Sequence, residues 1–432
     1  MEKILKIMMG LMMVMLMAQP IQAQSVNESA QDGHDEEVVE DKNDTEVADS
    51  AMVDSLSADS LRLPWPEFVK VGIDKLLESK MFETSQVGIM VWDLETDSCI
   101  YNYRERQLMR PASTMKLVTA ITALDKLGGS YQFKTQLKYT GTIEDGVLTG
   151  DVYCIGGMDP RFNSDDMTSF VRSLKDMGVD TIRGSIYADR SMKDAALLGE
   201  GWCWDDDNPV LSPLVFSRKD IFMDRFLRKL KEEGVYYEDE LSYVKRCPEG
   251  AFTICTRFHT MDQILHKMMK ESDNLYAESM YYQIAASTGN HPASAKSARN
   301  VERQLIRKVG LDPARYKLAD GSGLSLYNYL SAELEVKLLR YAYLNENILP
   351  HLKQSLPIAG VDGTLKKRMK NGPAHGNVKA KTGTLTGIIS LAGYCTAANG
   401  HELCFSIINN GVMHGSNARS FADKVCNLLC QP

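Results

Sequence analysis

From residue 64 onward the chain switches between two hydrophobic periods. Pro64 to Phe82 places Phe68, Val69, Ile73, Leu76 and Leu77 at the spacing of an amphipathic helix. Val87–Trp92 and Cys99–Tyr103 are rich in strand formers and flank Glu95-Thr96-Asp97, which predicts a hairpin. A helix is predicted to start at Pro111, because proline suits the first helical turn, and to stop at Gly128-Gly129. Between Leu117 and Leu124 no face of that helix carries a charge, so it belongs in a core.

The texture changes over residues 131–255. Short alternating runs such as Lys134–Tyr139, Val147–Ile155 and Thr181–Ala188 are broken by Gly and Asp, which predicts a β-rich insert. Helical spacing returns at Met261–Lys270 and Asn274–Ala286. Val378–Thr384, Ile388–Thr396 and Glu402–Asn409 read as three consecutive strands, and Ala418–Leu429 as a closing helix. Two strands early and three late, with helices around them, suggest one antiparallel sheet assembled from both chain ends. The predicted layout is therefore a domain of residues 61–130 and 256–432 interrupted by an insert domain, 131–255.

The first sixty residues are of another kind. Lys3 and Lys6 precede an apolar run from Ile7 to Met17, and Ala23 ends a plausible cleavage site, so residues 1–23 read as a signal peptide. The run is short for a bilayer span, which leaves at most a peripheral association with membranes. Residues 24–60 are acidic, Ser-rich and without aromatics, and read as a disordered spacer, because they bury too little apolar surface to offset ordering. Residues 1–60 hold thirteen acidic and three basic residues; the remainder is near neutral, with 46 basic against 44 acidic. That balance argues against nucleic acid as a partner. Nine cysteines are scattered along the chain, and an odd count leaves at least one outside any intramolecular pairing. The eight histidines stand apart, and no Cys-x-x-Cys or His-Glu-x-x-His occurs, so neither a metal nor another cofactor is called for.

The chemistry concentrates in three short segments. Ser113 and Lys116 lie one helical turn apart at the mouth of the uncharged helix. An ammonium buried there is driven towards its neutral form, and a neutral amine beside a hydroxyl can take its proton. A Ser-x-x-Lys alone says little, and Ser242-Tyr243-Val244-Lys245 repeats it with no buried helix behind it. Ser272-Asp273-Asn274 joins two predicted helices, and Lys381-Thr382-Gly383-Thr384 lies on a predicted strand. In this order the three segments resemble the motif set of penicillin-binding proteins and serine β-lactamases.

With Gly150-Asp151-Val152-Tyr153, Gly156-Gly157-Met158-Asp159-Pro160, Gly201-Trp202-Cys203-Trp204, Asp320-Gly321-Ser322-Gly323-Leu324-Ser325 and Leu356-Pro357-Ile358-Ala359-Gly360, the chain resembles one family over about residues 65–430. It is that of the low-molecular-mass, type-4 penicillin-binding proteins, which are D-alanyl-D-alanine carboxypeptidases and endopeptidases. The distance from Ser113 to Ser272 is short for that family, so the insert is expected to be reduced. The resemblance implies an α+β fold with a five-stranded antiparallel sheet flanked by helices, an all-helical subregion and the β-rich insert.

It also implies roles. Ser113 is the nucleophile, Lys116 its base and Ser272 a proton relay. Asn274, Lys381, Thr382 and Thr384 bind substrate, and the N–H groups of Ser113 and Thr384 form an oxyanion hole. The implied substrates are peptidoglycan peptides ending in D-Ala-D-Ala, the implied inhibitors β-lactams, and the implied location secreted or periplasmic. The Asp320–Ser325 segment stays undecided between a structural loop and a substrate contact. Two rival readings stand beside this one. A β-lactamase is disfavoured, because no Glu-x-x-Leu-Asn segment lies between Ser272 and Lys381. A non-catalytic peptidoglycan-binding protein is disfavoured by the complete motif set.

Overall fold

A computed structural model describes residues 63–204, 208–238 and 242–431. The expected signal peptide and acidic spacer lie outside the described residues. The chain begins with α1 (Trp65–Leu77), β1 (Gln86–Asp93), β2 (Ser98–Tyr103) and α2 (Met115–Leu127). Next come β3 (Gln132–Tyr139), β4 (Thr142–Glu144), β5 (Val147–Thr149), β6 (Val152–Ile155), α3 (Ser164–Asp176), β7 (Thr181–Arg183) and β8 (Ile186–Asp189). Then follow α4 (Phe222–Glu232), β9 (Tyr236–Tyr237), β10 (Ser242–Val244) and β11 (Phe252–Thr260). Five helices come after them: α5 (Met261–Lys270), α6 (Asn274–Ala286), α7 (Ala295–Lys308), α8 (Ala332–Tyr343) and α9 (Leu349–Ser355). The chain closes with β12 (Lys379–Leu385), β13 (Ile388–Thr396), β14 (Glu402–Asn410) and α10 (Gly415–Cys430).

The expected sheet from both chain ends is present, antiparallel, in the order β12-β13-β14-β1-β2. Both of its faces are covered. Val87, Ile89, Val91, Phe405 and Ile407 pack against α1 and α10, while Met90, Ala392, Tyr394 and Ile408 face the helices on the other side. That explains why β13 and β14 are buried almost throughout, where a half-exposed strand would alternate. Helix α1 lies so close to α10 that a Cβ on Gly72 would stand 2.8 Å from a methyl of Leu428.

Helix α2 is buried as its sequence predicts, with Leu117 to Leu124 between 0% and 2% exposed. It packs against α6, α7 and α8. Helix α6 is a second all-round buried helix, with every residue from Leu275 to Ala285 buried. Lys116 stands in the first turn of α2 and Asn274 at the first residue of α6.

Residues 132–260 hold two further sheets, β10-β8-β6-β3-β11 and β4-β5-β7-β9. The alternating run 147–155 forms two strands. Its first half, β5, joins the smaller sheet and its second half, β6, the larger, with the turn at Gly150. The run 181–188 divides the same way at Gly184. Helices α3 and α4, which the sequence reading left out, supply Phe170, Val171, Leu174, Phe222, Phe226 and Leu230 to a core of this region's own. Their 3- and 4-residue apolar spacing sits in strongly charged segments. The short alternating strands around them drew the reading towards β structure. Strand β11 runs through residue 255, so the region's last strand leads directly into α5. At the root of the region, Phe133, Met158, Trp202 and Val215 pack into the core that holds α2 and α6.

All nine cysteines are free thiols. No described helix is long and apolar enough to cross a membrane.

Candidate active site

Ser113 sits in a single 3₁₀ turn, Ala112–Thr114, that feeds α2 at Met115. The turn is strained: Ala112 has φ +50°, a left-handed conformation that costs a non-glycine residue about 1–3 kcal/mol. It is held from outside. Pro111 O accepts from Thr114 Oγ1 at 2.9 Å and from Ser390 Oγ of β13 at 2.5 Å.

One turn on, Lys116 is fully buried. Its Nζ donates to Ser113 Oγ at 3.0 Å, to Asn274 Oδ1 at 2.7 Å and to Ser322 O at 2.9 Å. The spacing read from the sequence therefore becomes a direct contact between hydroxyl and amine. Asn274 reaches the lysine because it is the first residue of α6, whose start is capped by Asp273. That carboxylate accepts from Tyr276 N at 3.3 Å and from Arg218 Nη1, in the 131–255 region, at 2.8 Å.

Ser272 precedes the cap in the left-handed region, at φ +62°. Its Oγ accepts from Lys381 Nζ at 2.8 Å, and the same Nζ donates to Thr382 O at 2.8 Å. Lys381 is fully buried although it lies on β12, an edge strand. Because Ala380 N donates outward to Pro357 O at 3.0 Å, the alternation of an antiparallel ladder turns Thr382 N–H and Thr384 N–H outward as well. The Thr382 hydroxyl donates to Thr364 Oγ1 at 2.7 Å, and Thr384 is exposed. Gly383 is where β12 meets the turn that carries Ser113: a Cβ there would lie 3.1 Å from Ser113 N and 2.6 Å from Pro111 O.

The structure thus joins Ser113, Lys116 and Asn274 in one hydrogen-bonded group and Ser272, Lys381 and Thr382 in another, with β12 passing beside the turn of Ser113. Ser242 of the duplicate Ser-x-x-Lys lies on β10 in the insert sheet, away from this constellation. Three contributors escaped the sequence reading. Ser322 acts through its backbone oxygen, which no side chain announces. Thr364 belongs to a short 3₁₀ turn, Gly363–Leu365. Ser390 looks like any residue of a buried strand. The Asp320–Ser325 segment, undecided on sequence between a structural loop and a substrate contact, meets Lys116 through its Ser322 carbonyl.

A hydroxyl held against a buried amine, with a second hydroxyl held against a second buried lysine, suits acyl transfer through a serine ester. The D-Ala-D-Ala carboxypeptidase 3 (S13) family matches residues 69–215 and 207–431. D-alanyl-D-alanine carboxypeptidase DacB of Haemophilus influenzae is 26% identical over 82% of this chain and 91% of its own length. The crystal structure of penicillin binding protein 4 (dacB) from Haemophilus influenzae, 25% identical, covers 83% of this chain and 99% of that one with a TM-score of 0.77. A second structure of it, complexed with a β-lactam, covers 84% and 100% with a TM-score of 0.71. On these matches, and with the serine–lysine site in place, the chain belongs to the D-Ala-D-Ala carboxypeptidase 3 (S13) family.

Proposed function

We propose that this enzyme, a serine-type D-Ala-D-Ala carboxypeptidase, works through a Ser113 ester on peptidoglycan stem peptides. The contact from buried Lys116 Nζ to Ser113 Oγ carries this reading. In its amine form Lys116 takes the Ser113 proton as Oγ attacks the carbonyl of the penultimate D-alanine. Outward N–H of Thr384 and the N–H of Ser113 hold the oxyanion that develops. Asn274, bonded to Lys116, orients the substrate amide.

Ser272 passes a proton to the departing amine. Its neighbour Lys381 supplies positive charge for that transfer, and Thr382 and Thr384 bind the substrate's terminal carboxylate. Release of D-alanine leaves the ester, which water then hydrolyses to regenerate Ser113. A β-lactam presents the same kind of acyl donor but keeps its leaving group tethered, so it is expected to trap the ester. The peptidoglycan substrate places the enzyme outside the cytoplasm, in agreement with the signal-like residues 1–23. The two sheets and the separate core within residues 132–260 support reading 131–255 as the insert domain of this arrangement.

Intact-mass measurement after incubation with penicillin tests the reading. Wild type is expected to gain one penicillin and Ser113→Ala none. A wild type that stays unmodified in the presence of intact antibiotic would refute it.

A further inference from the structure

Glu278 lies one turn beyond Asn274 on α6, so the two project to the same side of the helix. It is 1% exposed. Its Oε1 accepts from two successive backbone N–H groups, Gly321 at 3.0 Å and Ser322 at 2.8 Å. The carbonyl of that same Ser322 receives Lys116 Nζ. From the opposite side Thr119, one turn beyond Lys116 on α2, donates to Gly321 O at 2.7 Å. Two buried helices therefore grip one peptide, and each also carries one of the residues the site needs, Lys116 or Asn274.

The rest of the segment is pinned as firmly. Asp320 accepts from Gly323 N at 2.8 Å, Ser325 N at 2.7 Å, Asn328 Nδ2 at 2.7 Å and Trp202 Nε1 at 2.8 Å. Gly323 has φ +81°, and a Cβ there would lie 1.9 Å from Ala112 O, so the segment passes directly beneath the nucleophile turn. The Ser322 carbonyl shares its peptide with the Gly323 N–H, which Asp320 holds, and Glu278 and Thr119 fix the peptide before it, so together they leave that carbonyl little freedom.

The direction of that carbonyl matters because of what an amine is. A neutral lysine has two N–H donors and one lone pair. Asn274 Oδ1 and Ser322 O are acceptors, so together they occupy both donors and leave the lone pair facing the Ser113 hydroxyl. If the Ser322 carbonyl turns away, one N–H is released and the amine can rotate its lone pair off Ser113. We propose that Glu278 is a positioning residue for acylation: by holding the Gly321 and Ser322 N–H groups it fixes the backbone leading into the Ser322 carbonyl, so that, with Asp320 on the Gly323 N–H, this carbonyl stays aimed at Lys116 and the amine stays oriented on Ser113. This rests on the reading of Lys116 as the base. The function asks only for an acceptor oxygen, not for charge. Burial, with Asp320 beside it, pushes the Glu278 carboxyl up to about 8, which is consistent with an acid form at neutral pH.

The test separates binding from chemistry in the reaction with a fluorescent penicillin. Glu278→Ala is expected to lower the limiting acylation rate at least about tenfold, with the concentration for half-saturation within about threefold of wild type. Glu278→Gln keeps an acceptor oxygen in place and is expected to recover the rate to within about threefold of wild type. Glu278→Ala acylating at the wild-type rate would overturn the proposal, as would Glu278→Gln being as slow as Glu278→Ala. Should Glu278→Ala fail to fold, Thr119→Val releases the same peptide from the other helix without changing side-chain shape. It is expected to slow acylation about threefold or more, and an unchanged rate counts against the proposal. A wild type that forms no adduct at all would instead bring down the assignment of Ser113 and Lys116, and the proposal with it.

Discussion

Replacing Gly383 by Ala adds one methyl group at the seam between β12 and the turn that carries Ser113. That methyl would stand 2.1 Å from Ser390 Oγ, 2.6 Å from Pro111 O and 3.1 Å from Ser113 N. The serine hydroxyl can rotate aside, but only by giving up its bond to Pro111 O. The other two atoms are backbone, on either side of the strained Ala112, and cannot rotate. Restoring an ordinary contact of about 3.4 Å to Pro111 O requires strand and turn to separate by about 0.8 Å. A displacement near 1 Å at a reacting centre costs on the order of a hundredfold in rate, so acylation by penicillin is expected to slow by about that factor. Overpacking of this kind also costs about 1–3 kcal/mol of stability. Stopped-flow acylation with a fluorescent penicillin reads the first effect and urea denaturation the second. A variant that acylates within about threefold of wild type and keeps its urea midpoint would refute the reasoning, since strand and turn could not then be in contact. Lost stability with unchanged acylation would mean that turn and strand move as one piece, and would refute the kinetic half.

Two further perturbations probe the surroundings of the site. Glu335 on α8 is fully buried, accepts from Ser406 Oγ at 2.6 Å, and is pushed up to about 7 by burial. The folded state therefore binds a proton that the unfolded chain releases near pH 4.5, so this contribution to stability is full below that pH. It is lost as pH rises towards 7, by at most about 3 kcal/mol. Glu335→Gln is expected to flatten that share of the decline in denaturant midpoint between pH 4.5 and 7, and an unchanged pH slope would refute it. Trp202→Phe removes the indole donor to Asp320 while keeping an aromatic ring in the core. The expected cost is about 1–2 kcal/mol in urea denaturation with acylation slowed severalfold, because Asp320 shapes the segment that meets Lys116. Unchanged stability would show that the carboxylate does not depend on this bond.

Much of the site was legible in the chain because its chemistry is carried by side chains in local patterns. Ser113 and Lys116 announce themselves by helical spacing in front of an uncharged helix, and that helix is buried as predicted. Ser272 and Asn274 stand at the helix junction where their segment was placed, and Lys381 and Thr382 on the predicted strand. The sharing of one antiparallel sheet by two early and three late strands was also legible, whereas the edge position of β12 came from the tertiary structure.

The rest depended on partners distant in sequence or on atoms common to every residue. The third partner of Lys116 is a backbone oxygen 206 residues away, and Pro111 is held by a serine hydroxyl 279 residues away. Glu278 lies within the helix predicted over 274–286, and only the burial of α6 on all sides makes it an interior acceptor. In the insert, the runs 147–155 and 181–188 have the composition of single strands, and their division between two sheets emerges only when both sheets form. The sequence by itself determined the candidate reactive groups, the elements around them and the two-ended sheet, because helical and strand periodicity and side-chain chemistry are local properties. The tertiary structure alone decided which carbonyl faces the lysine, how close Gly383 comes to Ser113, and which polar residues lie inside. Those are matters of packing, settled when distant segments exclude water from one another.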